Sequence, residues 1–221
     1  MRQHLFCVAG SKAKETAEND KCFYFRSDRG GTREHGRETS LLWRHILYKK
    51  VEGVYRMNNY ISLCSVFRRR ANAAAFVTGS EKYPNIQGRV LFYQMRDGVI
   101  VRAEITGLPR GEGACDSPIF AFHIHGSGNC TGNHDDAFAD TGVHYNPNSC
   151  QHPYHAGDLP PLFGSDGKAL SVCLTNRFNV NEIIGKAVII HLSPDDFKTQ
   201  PSGNSGEKIA CGVIMPTAKL I

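Results

Sequence analysis

Seven of the ten histidines in this 221-residue chain fall between positions 123 and 191. They run in the order His123-x-His125, His134, His144, His152-x-x-His155-x-x-Asp158 and His191. Neutral imidazole is the commonest protein ligand for metals and suits copper and zinc, so this density points first to metal chemistry. In Phe122-His-Ile-His125 the two histidines stand two apart in an apolar, strand-forming run, which places both on one face. His191 ends a second such run, Val188-Ile-Ile-His191, and supplies a third strand-borne imidazole. His152, His155 and Asp158 offer nitrogens and a carboxylate oxygen from a Gly/Pro-rich loop, a set suited to tetrahedral zinc once one more nitrogen joins it. His144, in Gly142-Val-His-Tyr-Asn-Pro147, lies between the two groups in sequence. Any one of these side chains taken alone is more often an ordinary histidine donating to a nearby carbonyl; the density and spacing of the set outweigh that reading. His134, beside Asp135 and Asp136, matches neither group and reads as solvated.

The elements that must position these residues are short. From Ala73 onward, apolar segments of period two are separated by Gly, Pro, Asn and Asp. Residues 87–94 lead into the turn signal Arg96-Asp-Gly98, and then Val99, Val101, Ala103 and Ile105 alternate with Arg102 and Glu104. That pattern predicts a β-hairpin with one wet face. Further strands are predicted at 74–78, 119–125, 170–175, 186–192 and 209–215. Seven or eight short strands without a long helix predict an all-β sandwich or barrel over 73–221. Two stretches, about 126–165 and 193–208, are rich in loop-forming residues and break this rhythm. Loops so long in a compact domain are functional or disordered, and the first contains His144, His152, His155 and Asp158.

Charge separates the two ends of the chain. Residues 1–72 carry 15 Lys/Arg against 7 Asp/Glu, and residues 73–221 carry 11 against 14, so the overall +5 belongs to the first third. The basic balance therefore implies no nucleic-acid partner for the histidine-bearing part. Residues 1–72 expose too little apolar sequence to offset the entropy of ordering them and read as a basic N-terminal extension, disordered or partly helical. Its one helical pattern is 40–51, where Leu42, Ile46 and Leu47 recur behind Ser40 as a cap. Arg68-Arg69-Arg70 reads as a solvated edge rather than a lipid or polymer contact. Residues 5–10 are too short for a signal core, and the apolar patch at 60–67 precedes its charges where a signal would follow them. No run reaches the length of a membrane-spanning helix. The expectation is a cytoplasmic protein without membrane attachment, an extracytoplasmic location staying open. Met57 is a candidate for the native start, with residues 1–56 then being upstream sequence.

The ordered series His-x-His, Gly-x-His-Tyr-Asn-Pro, His, His-x-Gly-Asp-Leu, Ile-Ile-His and Gly203-Asn-Ser-Gly-x-Lys-Ile-Ala-Cys-Gly-Val213 resembles the copper/zinc superoxide dismutases over about residues 73–221. The resemblance implies a Greek-key β-sandwich, a flattened eight-stranded barrel of immunoglobulin-like character, carrying two long functional loops. It implies copper on His123, His125, His144 and His191, and zinc on His144, His152, His155 and Asp158, with His144 shared. Asp195 matches the family's aspartate that hydrogen-bonds the outer nitrogens of His123 and His152. Cys130 and Cys211 match the family's intrasubunit disulfide. For Cys115, Cys150 and Cys173 both a Cys115–Cys150 pair and free thiols stay open.

The activity implied is conversion of superoxide to dioxygen and hydrogen peroxide through a copper redox cycle with a zinc-bridged histidine. His144 and Lys208 would be the catalytic groups and superoxide anion the partner. This sequence departs from the best-known members at Lys208, where they carry arginine, so the charge is kept and the planar fork is lost. The stretch between Cys130 and His144 is longer, and the His152–His155 gap and the stretch from His191 to Gly203 are shorter, than in familiar eukaryotic members. Steering of substrate should be weaker. The familiar dimer contacts do not transfer directly, although a homodimer is compatible. The alternatives are a non-enzymatic copper/zinc-binding domain on the same fold, serving copper delivery or metal buffering, and a structural zinc-stabilised β domain that presents the basic N-terminus to a partner.

Overall fold

The computed structural model describes residues 63–111, 113 and 118–219. The predicted helix at 40–51, the start at Met57 and Cys115 lie outside the described residues, as does most of the extension. Eight strands form among these residues: β1 (Ala73–Gly79), β2 (Gln87–Met95), β3 (Gly98–Thr106), β4 (Ile119–His125), β5 (Asp158–Phe163), β6 (Lys168–Thr175), β7 (Ala187–His191) and β8 (Lys208–Pro216). Among the described residues two short helices, α1 (Leu63–Phe67) and α2 (Val180–Ile183), and 3-10 turns at Ala139–Thr141 and Thr217–Lys219 accompany them. No helix among the described residues is long and apolar enough to cross a membrane.

All neighbours are antiparallel, in the order β5-β4-β7-β8-β1-β2-β3-β6. β5 also approaches β6, so the sheet curls into a nearly closed barrel. After β3 the chain crosses to build β4 and β5, returns to lay β6 beside β3, and crosses again to place β7 beside β4. These are Greek-key crossings. The predicted hairpin is β2–β3, and its two-residue turn is Arg96-Asp97, because Met95 already pairs with Gly98. Gly98 has φ 146°, and a Cβ there would stand 2.4 Å from the carbonyl oxygen of Thr175, so the close approach of β6 requires glycine.

Alternating residues fill the barrel, among them Val90, Phe92, Val101, Phe120, Phe122, Ile124, Val188, Ile190 and Ile214. Each such buried side chain contributes about 1.5–3 kcal/mol relative to exposure. On β4 and β7 the opposite parity is buried as well. There the outer face carries His123, His125, Ile189 and His191, covered by the long loops. Phe122 and Ile124 point into the core and thereby fix His123 and His125 on the outside.

One predicted loop corrects. The final part of 126–165 is β5, and Asp158 is its first residue, paired in register with His123. Asp158-Leu-Pro-Pro-Leu-Phe163 reads as a loop because proline cannot donate to a ladder. The strand survives because β5 lies at the end of the strand order and its register with β4 shifts between Phe120 and Phe122, opposite the prolines. Near the start of the described chain, Val66 and Ala71 pack on Tyr93 and Ile100, while Arg68, Arg69 and Arg70 are exposed.

Candidate metal centre

Four imidazoles converge over the outer face of β4 and β7. Ring centroids of His123 and His144 are 3.9 Å apart, those of His123 and His191 5.0 Å, and those of His125 and His144 5.0 Å. Each ring is anchored through one nitrogen. His123 Nε2 bonds Asp195 Oδ2 at 2.9 Å, His125 Nδ1 bonds the Gly142 carbonyl at 2.8 Å, and His191 Nδ1 bonds the Gly206 carbonyl at 3.2 Å. His144 Nδ1 lies 2.8 Å from Asp158 Oδ1. The other nitrogens, His123 Nδ1, His125 Nε2, His144 Nε2 and His191 Nε2, are buried without a hydrogen-bond partner. They form a group whose ligand atoms all lie within 4.8 Å of one another. A single buried polar atom left unpaired costs about 1–3 kcal/mol, so four facing one point have the character of a metal donor set.

The second group is His144, His152, His155 and Asp158, again with ligand atoms within 4.8 Å. His155 Nδ1 is 3.5 Å from His144 Nδ1 and 3.4 Å from Asp158 Oδ1. His152 Nδ1 stands 3.1 Å from Asp158 Oδ2 yet makes no hydrogen bond, so the contact is one of converging lone pairs. Three nitrogens and a carboxylate oxygen are a tetrahedral zinc set. His144 is common to both groups, turning Nε2 to the first and Nδ1 to the second.

The electrostatics favour the ligating forms. Burial, reinforced by neighbouring imidazoles, pushes His125 down to about 2 and His191 down to about 3. Burial likewise lowers His123 and His155 against the pull of their aspartate partners. These rings are neutral near pH 7, as metal ligation requires. Burial opposes ionisation of Asp158, and the surrounding imidazoles, His144 first, hold it below the usual carboxylate range. At Asp195 burial is also the largest influence, but bonds from His123, the Phe197 amide and His152 outweigh it and bring the carboxyl to about 2.

Three residues position the site in ways that local spacing does not show. Gln200 clamps the backbone of His152 in both directions, Nε2 donating to its carbonyl at 2.7 Å and Oε1 accepting from its amide at 3.0 Å. Arg177 Nη1 donates to the carbonyls of Pro153, His155 and Asp158 at 3.0, 3.2 and 3.1 Å. Gly203, at φ 68°, passes so close that a Cβ would stand 2.1 Å from Asp195 Oδ1. All three act across folds of chain, which is why spacing does not reveal them.

Asp195 bridges the groups, since its second oxygen, Oδ1, lies 2.9 Å from His152 Nε2. Cys130 and Cys211 form a disulfide between residues 81 apart, which ties the loop after β4 to β8. Cys150 is free and exposed, and Cys173 is free and partly buried. His134 is exposed and outside both groups. Lys208 pairs in register with His191, and its Nζ donates to Asp136 Oδ2 at 2.7 Å and to the Phe138 carbonyl at 3.2 Å.

A copper/zinc superoxide dismutase (SODC) family model matches residues 86–214. A superoxide dismutase [Cu-Zn] of Legionella pneumophila is 37% identical over 150 residues, covering 64% of this chain and 85% of that protein. Superoxide dismutase [Cu-Zn] 2 of Aquifex aeolicus (strain VF5) is 30% identical over 181 residues, covering 75% of this chain and 99% of the relative. Among solved structures, a SOD-like protein from Bacillus subtilis aligns with TM-score 0.52 at 29% identity, over 63% of this chain and 96% of that one. A double mutant of that SOD-like protein gives TM-score 0.53 at 30% identity, over 64% and 96%. Family match, relatives and barrel agree, and the chain belongs to the copper/zinc superoxide dismutase family.

Proposed function

We propose that residues 73–221 are an enzyme domain that converts two superoxide ions and two protons into dioxygen and hydrogen peroxide. In this reading copper is held by His123, His125, His144 and His191, and zinc by His144, His152, His155 and Asp158. The observation that carries it is the set of four unpartnered, buried imidazole nitrogens, one of them on a ring whose other nitrogen faces the second group. Family membership and the chemistry of both donor sets support the same metals. Copper bound there supplies one-electron oxidation and reduction of superoxide, and zinc supplies a fixed charge.

The chain's own groups do the rest. His144 can take or give a proton at Nε2 while Nδ1 stays committed to the second group, so it delivers one of the two protons and solvent the other. Asp195 and the Gly142 and Gly206 carbonyls each hold the outer N–H of a ring, which fixes its tautomer and aims the opposite nitrogen. An ammonium has three donors, and Lys208 uses two on Asp136 and Phe138, which leaves one for a small anion beside His191. The Cys130–Cys211 bond favours an oxidising compartment over the cytoplasmic one expected from the sequence.

Purified chain loaded with both metals tests the reading. Copper and zinc near about one each per chain, with cyanide-sensitive removal of superoxide, support it. Zinc alone without activity contradicts it, and both metals without superoxide removal point instead to a metal-buffering or copper-delivery domain.

A further inference from the structure

We infer that Asp136 sets the charge that an anion meets at this centre, by neutralising Lys208 while holding it beside His191. The inference rests on the reading of the first histidine group as an anion-binding copper site. Lys208 is the first residue of β8, directly across from His191, and its side chain is only 14% exposed. Its Nζ meets Asp136 Oδ2 at 2.7 Å, across 72 residues of sequence.

The carboxylate is fixed from its own side too. Asp136 Oδ1 accepts from the Phe138 amide at 3.0 Å, and the Asp136 carbonyl accepts from the amides of Asn133 and Ala139 at 2.9 and 3.1 Å. Asn133 Oδ1 in turn accepts from the amides of Asp135 and Asp136 at 2.9 and 3.0 Å. The Cys130–Cys211 disulfide joins the same two segments a few residues away. Neither partner of the ion pair therefore swings freely.

Pairing changes what Lys208 does. An isolated cation attracts an anion over a screening length, whereas a contact ion pair acts as a short-range dipole. The third ammonium donor still serves an anion already at the site, but long-range attraction is largely cancelled. Asp135 and Asp140, in the same segment as Asp136, are acidic too and add no attraction. Asp136 is thus a positioning and charge-setting residue, acting on substrate only through Lys208.

The test is equilibrium binding of azide to the copper- and zinc-loaded chain, followed by the absorption of the cupric site at low and high ionic strength. Asp136→Asn keeps the side chain's shape and an acceptor for Lys208 but removes the charge. It should tighten azide binding on the order of 3–10-fold at low salt, with the gain shrinking as salt rises. Lys208→Gln alone should weaken azide binding and make its salt dependence less negative than in the parent, because Asp136 is then unpaired. Adding Asp136→Asn to Lys208→Gln should remove the uncompensated negative charge, recovering the salt-dependent part of that loss but not the part due to the missing ammonium donor. Unchanged or weaker binding in Asp136→Asn overturns the inference, as does a lowered melting temperature with unaltered affinity, which marks a structural staple. Should Asp136→Asn fail to fold, an unaltered salt dependence in Lys208→Gln overturns it equally. A parent chain that binds copper but no azide overturns the underlying reading of the site, a result distinct from either of these.

Discussion

His152 donates through Nε2 to Asp195 at 2.9 Å, although 43 residues separate them. The same carboxylate takes the Nε2–H of His123 at 2.9 Å, so one side chain outside both ligand groups orients a ring in each. Asp195→Ala should therefore weaken copper and zinc together, by about 10–100-fold each. Asp195→Asn offers one acceptor oxygen and turns an NH2 toward the other ring, so it should also impair one site. Competition titrations against chelators measure both affinities. Loss at only one site in Asp195→Ala contradicts the coupling.

Gly203 is the condition for that arrangement. A Cβ there would stand 2.1 Å from Asp195 Oδ1 and 2.7 Å from His152 Nε2, and the backbone φ of 68° disfavours a side chain as well. Gly203→Ala should cost about 1–3 kcal/mol from the backbone alone and raise the zinc dissociation rate. Denaturant unfolding with zinc release to a colorimetric chelator reads both. Unaltered zinc release places the close approach outside the metal centre.

Acid should act in one direction. His125 and His191 titrate at about 2 and about 3 when folded, against an ordinary 6.5. Between those values the unfolded chain binds more protons, so this stability is fully present above pH 6.5 and is lost as pH falls toward the folded values. Asp195, at about 2 against 3.8, adds a loss of the same sign as pH falls below 3.8. The metal-free chain should show a melting temperature that drops steadily from about pH 6.5 to about pH 4. A flat or rising profile there contradicts neutral, buried rings.

The disulfide closes a span of 81 residues. Cys130→Ser should destabilise the chain by about 2–5 kcal/mol. It should also increase hydrogen exchange in residues 130–142, which carry Asp136 and the Gly142 carbonyl that orients His125. Exchange that stays slow there means the loop is held by its own hydrogen bonds.

Part of each candidate ligand group is legible in the sequence through local spacing. His123-x-His125 alternates across a strand, and His152, His155 and Asp158 recur within one short segment. The hairpin β2–β3 and the strands β1, β4, β6, β7 and β8 are legible through period two. β5 is not, since two prolines mask a strand that needs few of its own donors. The Asp195 bridge and the Cys130–Cys211 pair follow from family resemblance and not from spacing. Asp136, Gln200 and Arg177 escape altogether, and Gly203 is legible only as part of the family motif, because each acts through a contact made only when distant segments fold together.

The shared ring is the centre of the account, and His144→Ala tests it most directly. Copper and zinc titrated separately into this variant and into the parent chain should both bind more weakly in the variant, because the lost imidazole supplies Nε2 to one group and Nδ1 to the other. Affinity lowered for a single metal, or for neither, contradicts a histidine common to the two sites.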